Sequence, residues 1–423
     1  MIGQTTRENP LKLGKFDLAT SARWLEARMR HPVRRGALSP RENALAERIK
    51  MLKREAGSHS PSAPTIIKLI PELRLRVDAC FLSNPYATGL FLEYLQREVI
   101  RTGKLRKLLE FYPSQNRVIA GKLSRAIGVP TDHLFIGNGA VEIIQAIMHR
   151  FAGSKILVNL PTFSPYHEFA RPDTQVVFNV LDKENDFRFD PAAYIERVKR
   201  EKPDTIVLIN PNNPDGGYIP YATLVRMLEE LRDVPNIILD ESFIHFACEG
   251  DDYAFRSLGG EVDRFPNLMV VKSMSKDFGV AGIRAGYAVM APGRVRELLD
   301  NGFLWNSSGL AEYFFDLYSR PDFLVEYERK RVHYIRHSRR FFKALSMLPG
   351  LYAYPTSANF ILVELRNGMT AEDLVCRLLV RRGIYTRTCD DKKGLEPGKF
   401  LRVASRTRSE NRFVLRAFKD LLR

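Results

Sequence analysis

A lysine placed between two serines and an arginine is the most reactive feature of the sequence. Lys276 follows Ser273 and Ser275, and Arg284 comes eight residues later, in a stretch that is rich in glycine. Serine hydroxyls and a guanidinium group donate hydrogen bonds in several directions, which suits a bound phosphate. The sequence therefore predicts that the amine of Lys276 lies beside a ligand that is anchored by its phosphate.

A second feature suited to phosphate is a glycine pair before a predicted helix. Gly137 and Gly139 flank Asn138, and Ala140 and Val141 follow them. Glycine allows a ligand to approach the backbone closely, and the free amide groups in the first turn of a helix point at an anion. A Gly-x-Gly pair is weak evidence by itself, so its meaning depends on where the fold places it.

The elements that must position these residues are apolar strands that alternate with helices. Helices are predicted over 191–201 and 221–232, between strands over 155–159, 205–209 and 236–239. Polar residues stand at or just past the carboxyl ends of the strands: Asn159, Asn210, Asp240 and Lys272. Such alternation predicts an α/β fold with a mostly parallel sheet, covered on both faces, that binds ligands at the carboxyl ends of its strands. The motifs are therefore expected to converge in one crevice.

Asp240 needs a partner wherever that crevice lies. It directly follows the apolar run 236–239, which reads as a buried strand. A buried carboxylate is costly unless a cation or a hydrogen-bond donor compensates it. The sequence thus predicts that Asp240 has a partner.

Length and charge limit the class of protein. The 423 residues exceed one typical core and suggest two domains in close contact. A formal net charge of +16 leaves a choice between a nucleic-acid protein and an enzyme with anionic ligands. The basic residues are spread along the chain without zinc-finger spacing. We therefore expect phosphorylated or carboxylate substrates rather than nucleic acid, and we keep a nucleic-acid-associated regulator as the alternative from another class.

Other patterns indicate neither a membrane protein nor a metal protein. No apolar run approaches the ~20 residues of a membrane span, and the N-terminus does not resemble a signal peptide. The four cysteines are far apart, which predicts reduced thiols and a cytoplasmic protein. His333 and His337 have a spacing that can bind metal, but their many basic neighbours indicate a solvated helix face. No metal site is predicted.

The motif around Lys276 resembles the signature of the fold-type I pyridoxal-phosphate (PLP) enzymes, Ser/Thr-x-Ser-Lys followed by Gly-x-Arg-x-Gly. Within that group, residues from about 75 to 423 are similar to class I and II aminotransferases, near histidinol-phosphate aminotransferase and threonine-phosphate decarboxylase. The resemblance implies PLP as cofactor and a large domain with a mostly parallel sheet beside a smaller α/β domain. The implied boundaries are 1–64 for a basic helical extension with linker, 65–110 for the N-terminal part of the small domain, 111–305 for the large PLP-binding domain, and 306–423 for the C-terminal small domain.

The resemblance also assigns roles to single residues. Lys276 would form the Schiff base and act as general base and acid, and Asp240 would keep the pyridine nitrogen protonated. The implied cofactor-binding residues are Gly139, Ala140, Val141, Phe163, Asn213, Asp240, Ser273, Ser275, Lys276, Arg284 and Tyr86. Arg402 and Arg387 would bind the acidic groups of the substrate.

Two positions depart from the family pattern. Val141 stands where an aspartate is usual, which leaves only its backbone to contact phosphate. Phe243 stands where many relatives have a tyrosine, which removes one hydroxyl from the phenolic oxygen of the cofactor. Phenylalanine at this position is familiar in the decarboxylase branch.

The predicted function is that of a PLP-dependent aminotransferase acting on an amino acid or an amino-acid phosphate. The alternative is a threonine-phosphate decarboxylase-like lyase, which Phe243 and the C-terminal pattern over 383–404 favour. Tyr86 matches a tyrosine that reaches the cofactor of the neighbouring subunit, so the resemblance implies a homodimer with shared active sites. The N-terminal extension, with Trp24 and Leu25, is a candidate to wrap over the partner.

Overall fold

The computed structural model describes residues 38–57, 60–303 and 306–422. The α-helices are α1 (Pro40–Glu55), α2 (Ala63–Leu69), α3 (Pro85–Leu95), α4 (Leu105–Glu110), α5 (Asn116–Ile127), α6 (Ala140–Arg150), α7 (Pro165–Glu168), α8 (Pro191–Glu201), α9 (Tyr221–Glu230), α10 (Pro292–Asp300), α11 (Gly309–Tyr318), α12 (Pro321–Ser346), α13 (Ala371–Arg382) and α14 (Arg408–Leu421). The strands are β1 (Val77–Asp78), β2 (Leu134–Gly137), β3 (Lys155–Leu160), β4 (Gln175–Val180), β5 (Thr205–Ile209), β6 (Asn236–Asp240), β7 (Leu268–Ser273), β8 (Gly286–Met290), β9 (Leu351–Ala353), β10 (Phe360–Leu365), β11 (Ile384–Tyr385), β12 (Arg387–Thr388) and β13 (Phe400–Ala404). The segment with Trp24 and Leu25, expected to be helical, lies outside the described residues.

A seven-stranded sheet with the order β2-β8-β7-β6-β5-β3-β4 forms the centre of the fold. The neighbours from β4 through β3, β5 and β6 to β7 are all parallel, and β8 is antiparallel to both of its neighbours. Parallel strands end at the same edge of a sheet, so the ends of β5, β6 and β7 meet. The predicted, mostly parallel α/β sheet is confirmed.

Alternate side chains of the strands enter two separate hydrophobic cores. In β6, Ile237 and Leu239 pack into one core, whereas Ile238 packs into the other. A strand that is buried on both faces has an uninterrupted apolar sequence, which is why these strands show no polar alternation. The expected cover on both faces of the sheet is therefore present.

A smaller antiparallel sheet with the order β12-β13-β10-β9 lies in the C-terminal part of the chain. A separate parallel pair joins β1 to β11. The sequence predicts a longer strand over 77–81, but the strand ends at Asp78, whose carboxylate accepts the backbone N–H groups of Cys80 and Phe81. This local hydrogen bonding turns the chain out of the strand and toward the central sheet.

The first two described helices pack against this C-terminal region. Ile49 of α1 and Ile66 of α2 join Leu379 and Tyr385 in one buried cluster. The described part of the 38–70 segment is thus attached to the body of the fold by apolar burial. Among the described residues, no helix has both the length and the apolar character that crossing a bilayer requires.

Candidate active site

A cavity of about 350 Å³ lies at the carboxyl ends of β5, β6 and β7. Its walls include residues from distant motifs of the sequence: Ala140, Val141, Phe163, Asn213, Asp240, Ser273, Ser275, Lys276, Arg284, Arg387 and Arg402. These eleven residues are among the thirteen for which the sequence predicts a role. The convergence in one crevice at the edge of the sheet is thereby observed, while the role of each residue stays a prediction.

Lys276 lies in the turn that follows β7. The backbone carbonyl of Lys276 accepts the N–H of Asn84 at 2.8 Å, and Ser275 N–H donates to Ser273 Oγ at 3.2 Å. Burial, together with the positive charges of Arg402 and Arg284, lowers the pKa of the Lys276 ammonium to about 8. An amine with this pKa can both accept and return a proton near neutral pH.

Asp240 is the last residue of β6 and is buried. Its carboxylate accepts Tyr166 OH at 3.0 Å and Ser242 N–H at 2.8 Å. Within the described ranges it forms no ion pair, and burial raises its pKa. A buried acid that is surrounded by neutral donors fits a cationic group of a ligand, because a cation would compensate its charge. The sequence predicts no role for Tyr166, since a hydrogen bond across 74 positions leaves no local signal.

The start of α6 forms a cradle for an anion. Gly139 has φ +85°, and a Cβ atom at this position would lie 2.6 Å from Arg284 Nη2. Arg284 Nη2 also donates to the carbonyl of Asn138 at 3.1 Å. Across the sheet, a Cβ on Gly286 would lie 2.9 Å from Ala140 N. The two glycines thus allow the guanidinium and the helix N-terminus to face one anion, such as a phosphate.

The opposite side of the cavity carries Arg402 from β13. Its Nη1 donates to Asn213 Oδ1 at 2.7 Å, and its Nη2 donates to the carbonyl of Cys80 at 3.1 Å. Burial, followed by the charge of Arg387, lowers the pKa of Arg402 to about 10. Because the carbonyl oxygen of Asn213 is engaged by Arg402, the amide hydrogens are the part of Asn213 that can donate to a ligand.

Arg387 shares a carboxylate with a lysine on the same wall. Arg387 Nη2 lies 2.7 Å from Asp391 Oδ2, and Lys392 Nζ lies 3.1 Å from the same oxygen. Although burial acts in the opposite direction, the charges of Arg387 and Lys392 hold the pKa of Asp391 below its ordinary value. The sequence does not single out Lys392, because a lysine in an Asp-Asp-Lys-Lys run looks like an ordinary solvated loop residue.

Tyr86 lies outside this cavity lining. Its hydroxyl accepts the backbone N–H of Arg408 at 3.1 Å, and its ring packs edge-on against His333 at 4.8 Å. His333 and His337 approach each other at 3.1 Å between their Nε2 atoms. Tyr86 therefore has no contact with the cavity formed by its own chain.

A buried charged network lies directly behind the turn with Lys276. Lys272 Nζ contacts Asp277 Oδ2, and His245 Nδ1 lies 3.2 Å from the same oxygen. His245 Nδ1 is also 2.8 Å from the hydroxyl of Tyr327 in α12. The sequence places Lys272 at a strand end but does not indicate Asp277 as its partner. The network joins two strand ends of the large sheet to a helix of the C-terminal region.

Comparison with known proteins gives a consistent result. Residues 106–418 match the family model for aminotransferase class I and II. The chain is 53% identical to an L-serine phosphate decarboxylase of Campylobacter jejuni over 386 residues, which cover 91% of this chain and 99% of that protein. A solved structure of a decarboxylase from Sulfurospirillum multivorans has a TM-score of 0.87 and 43% identity, covering 90% of this chain and 97% of that one.

A solved histidinol-phosphate aminotransferase from Clostridium acetobutylicum is more distant. It has a TM-score of 0.70 and 26% identity, covering 82% of this chain and 99% of that one. These comparisons confirm the resemblance inferred from the motifs. They also support the decarboxylase alternative better than the aminotransferase that the sequence analysis put first.

Proposed function

The chain belongs to the class I and II aminotransferase family and uses PLP, and from this premise we propose that it is a decarboxylase of L-serine phosphate. The observation that carries the proposal is the 53% identity, over 99% of its length, to the L-serine phosphate decarboxylase of C. jejuni. The cation-lined cavity supports it, because this substrate carries both a carboxylate and a phosphate.

The wall formed by the large sheet fits PLP. The N-terminus of α6 and Arg284 offer donors for the cofactor phosphate, and Gly139 leaves the space for that approach. Asp240, a buried acid with neutral donors around it, offers a counter-charge to a protonated ring nitrogen. Phe163 on the same wall offers an apolar face for the ring.

The chemistry divides between the cofactor and the side chains of this protein. Bound PLP would supply an electron sink that weakens the bonds to the substrate Cα. Asp240 holds the proton on the ring nitrogen. Lys276, with its pKa lowered to about 8, delivers a proton to Cα after the Cα–carboxylate bond has broken and carbon dioxide has left. The organic product is then ethanolamine phosphate.

Arg402 is the residue that we assign to the substrate carboxylate. Its guanidinium is buried and is fixed by Asn213 and by the carbonyl of Cys80. A planar, two-pronged donor held in one orientation also fixes the carboxylate that it binds. By fixing the carboxylate, Arg402 would select between loss of the carboxylate and loss of the Cα proton.

The proposal is tested by separating the possible products. The purified, PLP-loaded protein is incubated with L-serine phosphate, L-threonine phosphate, L-serine and L-histidinol phosphate, each with and without 2-oxoglutarate. We expect L-serine phosphate to release carbon dioxide and ethanolamine phosphate in equal amounts without 2-oxoglutarate. Formation of an oxo product that requires 2-oxoglutarate, with no carbon dioxide, would instead establish an aminotransferase. A preference for L-threonine phosphate would correct the substrate but keep the reaction.

We further propose a two-fold homodimer with shared active sites. Tyr86 has no contact with the cavity of its own chain, and Arg284 on the cavity wall is exposed. Large apolar side chains in the segment 92–118 are also exposed, with Leu109 at 68%, Phe111 at 62% and Tyr112 at 92%. A second copy would cover such surface, and two-fold dimers are the commonest closed assembly of soluble proteins.

Mixed subunits test the shared site directly. Tyr86→Arg protein and Lys276→Ala protein are each expected to be inactive, while random re-association should restore about a quarter to a half of the activity of one site. Hybrids that form, as shown by differently tagged subunits, and yet stay inactive would rule out a role for Tyr86 across the interface. Light scattering measures the mass of the assembly independently.

We also propose a cellular location for the enzyme and give a test for nucleic-acid binding. Its four cysteines are free thiols, which supports a cytoplasmic location because reduced thiols are usual there. The nucleic-acid regulator remains a prediction that retention on a DNA column can test. Salt-dependent retention that disappears when residues 1–37 are deleted would revive it.

A further inference from the structure

One buried lysine on the cavity wall has no role in the scheme above. Lys392 is only 6% exposed and lies in the loop after β12. Its backbone is held by hydrogen bonds with Cys389 and Leu395, at 3.0 and 3.2 Å. Lys392 is therefore part of a fixed wall. Burying its ammonium costs desolvation free energy that a lysine at the protein surface does not incur.

Among the described residues of this wall, cations outnumber acids. Arg387, Lys392 and Arg402 are cations that line the same cavity, and Asp391 is the acid that contacts the first two. Arg402 donates to neutral oxygen atoms and, in the described part of the chain, pairs with no acid. Among the described residues, Arg402 is thus a buried cation without an acidic partner, and Lys392 shares its one carboxylate with Arg387. An anionic ligand would remove the cost of burying them.

The three cations differ in what they can bind. Arg402 is held in place by Asn213 and Cys80, and the planar fork of N–H donors of a guanidinium suits a carboxylate. Arg387 and Lys392 both contact Asp391 Oδ2, Arg387 more closely, at 2.7 Å against 3.1 Å. Lys392 is the compact point charge of the group, with three donors that can meet the oxygens of a tetrahedral dianion. A phosphomonoester, with a charge of about −1.5 to −2 at pH 7, supplies such a dianion.

We propose that Lys392 binds the phosphate group of the substrate and makes the cavity selective for phosphorylated amino acids. The inference rests on the proposed function, because a phosphorylated substrate needs a phosphate-binding residue in addition to those that bind the phosphate of PLP. In this arrangement Asp391 keeps Arg387 and Lys392 side by side despite their like charges. The same contact binds the product, because ethanolamine phosphate retains the phosphate.

The test compares Lys392→Met with Lys393→Met. Both variants lose one positive charge, but Lys393 is the exposed neighbour and does not line the cavity. Two quantities are measured on PLP-loaded protein: the ratio of kcat/KM for L-serine phosphate to that for L-serine, and the Kd for ethanolamine phosphate by calorimetry. For Lys392→Met we expect the ratio to fall and the Kd to rise by about 10- to 100-fold, as is usual for a lost hydrogen bond to a charged group. Lys392→Arg should recover part of both.

The outcomes separate this inference from the function on which it rests. If Lys392→Met and Lys393→Met change the ratio and the Kd equally, the effect is one of net charge, and Lys392 does not bind the phosphate. If Lys392→Met lowers turnover of L-serine phosphate and L-serine alike with an unchanged Kd, its role is structural. If the wild type releases no carbon dioxide but binds ethanolamine phosphate through Lys392, the proposed function fails and the phosphate site stands.

Discussion

Two buried carboxylates at neighbouring strand ends have opposite surroundings. Asp277 follows β7 and contacts the ammonium of Lys272, with His245 at 3.2 Å. Asp240 ends β6 and accepts hydrogen bonds only from neutral groups, the hydroxyl of Tyr166 and the N–H of Ser242, among the described residues. Both side chains are buried, so the difference lies in the partner and not in the depth.

The comparison distinguishes a structural acid from a binding acid. An acid that already has an internal cation gains little from a ligand, whereas an acid without one gains compensation for its buried charge when a cationic group arrives. The charge of Asp277 is thus already compensated by Lys272, whereas Asp240 is suited to a positive charge on a ligand. The same reasoning separates Arg387, which is paired with Asp391, from Arg402, which donates to neutral oxygens.

The largest effect should follow from Asp240→Asn. The amide keeps the shape of the side chain but removes the counter-charge to the cofactor nitrogen. We expect kcat on L-serine phosphate to fall about 1000-fold, or about 4 kcal/mol, as when one partner of a buried pair is removed. Steady-state kinetics with saturating PLP measures the loss. A fall of less than about tenfold would mean that Asp240 does not serve the ring nitrogen.

Without PLP, the Asp240→Asn substitution should affect stability in the opposite direction from its effect on activity. Burial raises the pKa of Asp240 above its unfolded value, so the folded state holds its proton to higher pH. Stability is then lost as pH rises from the unfolded pKa through the raised folded pKa, and the Asp240→Asn substitution removes that loss because the amide does not titrate. Urea unfolding of the apo variant at pH 7 should therefore show equal or greater stability than the apo wild type.

The sequence predicts the residues of the cavity better than it predicts the buried pair of Lys272 and Asp277. Lys276, Asp240 and Arg284 follow apolar runs or glycine motifs, and a parallel sheet brings such positions to one edge. The pairing of Lys272 with Asp277 has no comparable signal, because it depends on how a turn folds back. Lys392 was missed for the same reason: its burial comes from the surrounding loop and not from its neighbours in the sequence.

Lys272→Met should affect stability rather than chemistry. Without Lys272, the carboxylate of Asp277 stays buried beside an uncharged neighbour. We expect the free energy of unfolding to fall by about 3 kcal/mol, at the lower end for a broken buried pair because His245 stays close to Asp277. Urea unfolding of the apo protein at pH 7 measures this loss.

A double variant and a more accessible ion pair serve as controls for the loss of stability in Lys272→Met. Lys272→Met with Asp277→Asn removes both charges, so it should be more stable than Lys272→Met alone. Lys155→Met breaks a more accessible pair with Glu201, at 3.0 Å, and should cost no more than about 1 kcal/mol. Equal losses for Lys155→Met and Lys272→Met would remove the distinction between a buried and an accessible pair.

Gly139→Ala should weaken cofactor binding to a smaller extent. The added Cβ would lie 2.6 Å from Arg284 Nη2, so the guanidinium must move, and φ +85° strains any residue with a side chain. We expect the affinity for PLP to fall by about tenfold, corresponding to about 1.4 kcal/mol, with little change in the affinity for ethanolamine phosphate. Gly302→Ala is the control, since φ there is +71° but no atom lies within 4 Å of the added Cβ.

The smallest effect concerns the protonation of Lys276 in the apo protein. Burial and the charges of Arg402 and Arg284 lower its pKa to about 8, from an ordinary value of 10.5. Only the neutral amine attacks the aldehyde of PLP, so the rate of cofactor capture should rise about tenfold per pH unit below about pH 8 and level off above it. Because the unfolded chain binds the proton up to higher pH, the contribution of Lys276 to stability should increase between about pH 8 and 10.5. In Arg402→Met one of the two nearby cations is gone, so the midpoint should move upward. A midpoint that remains near the ordinary value of 10.5 in the wild type would place Lys276 in a solvated site, outside the wall that it shares with Asp240.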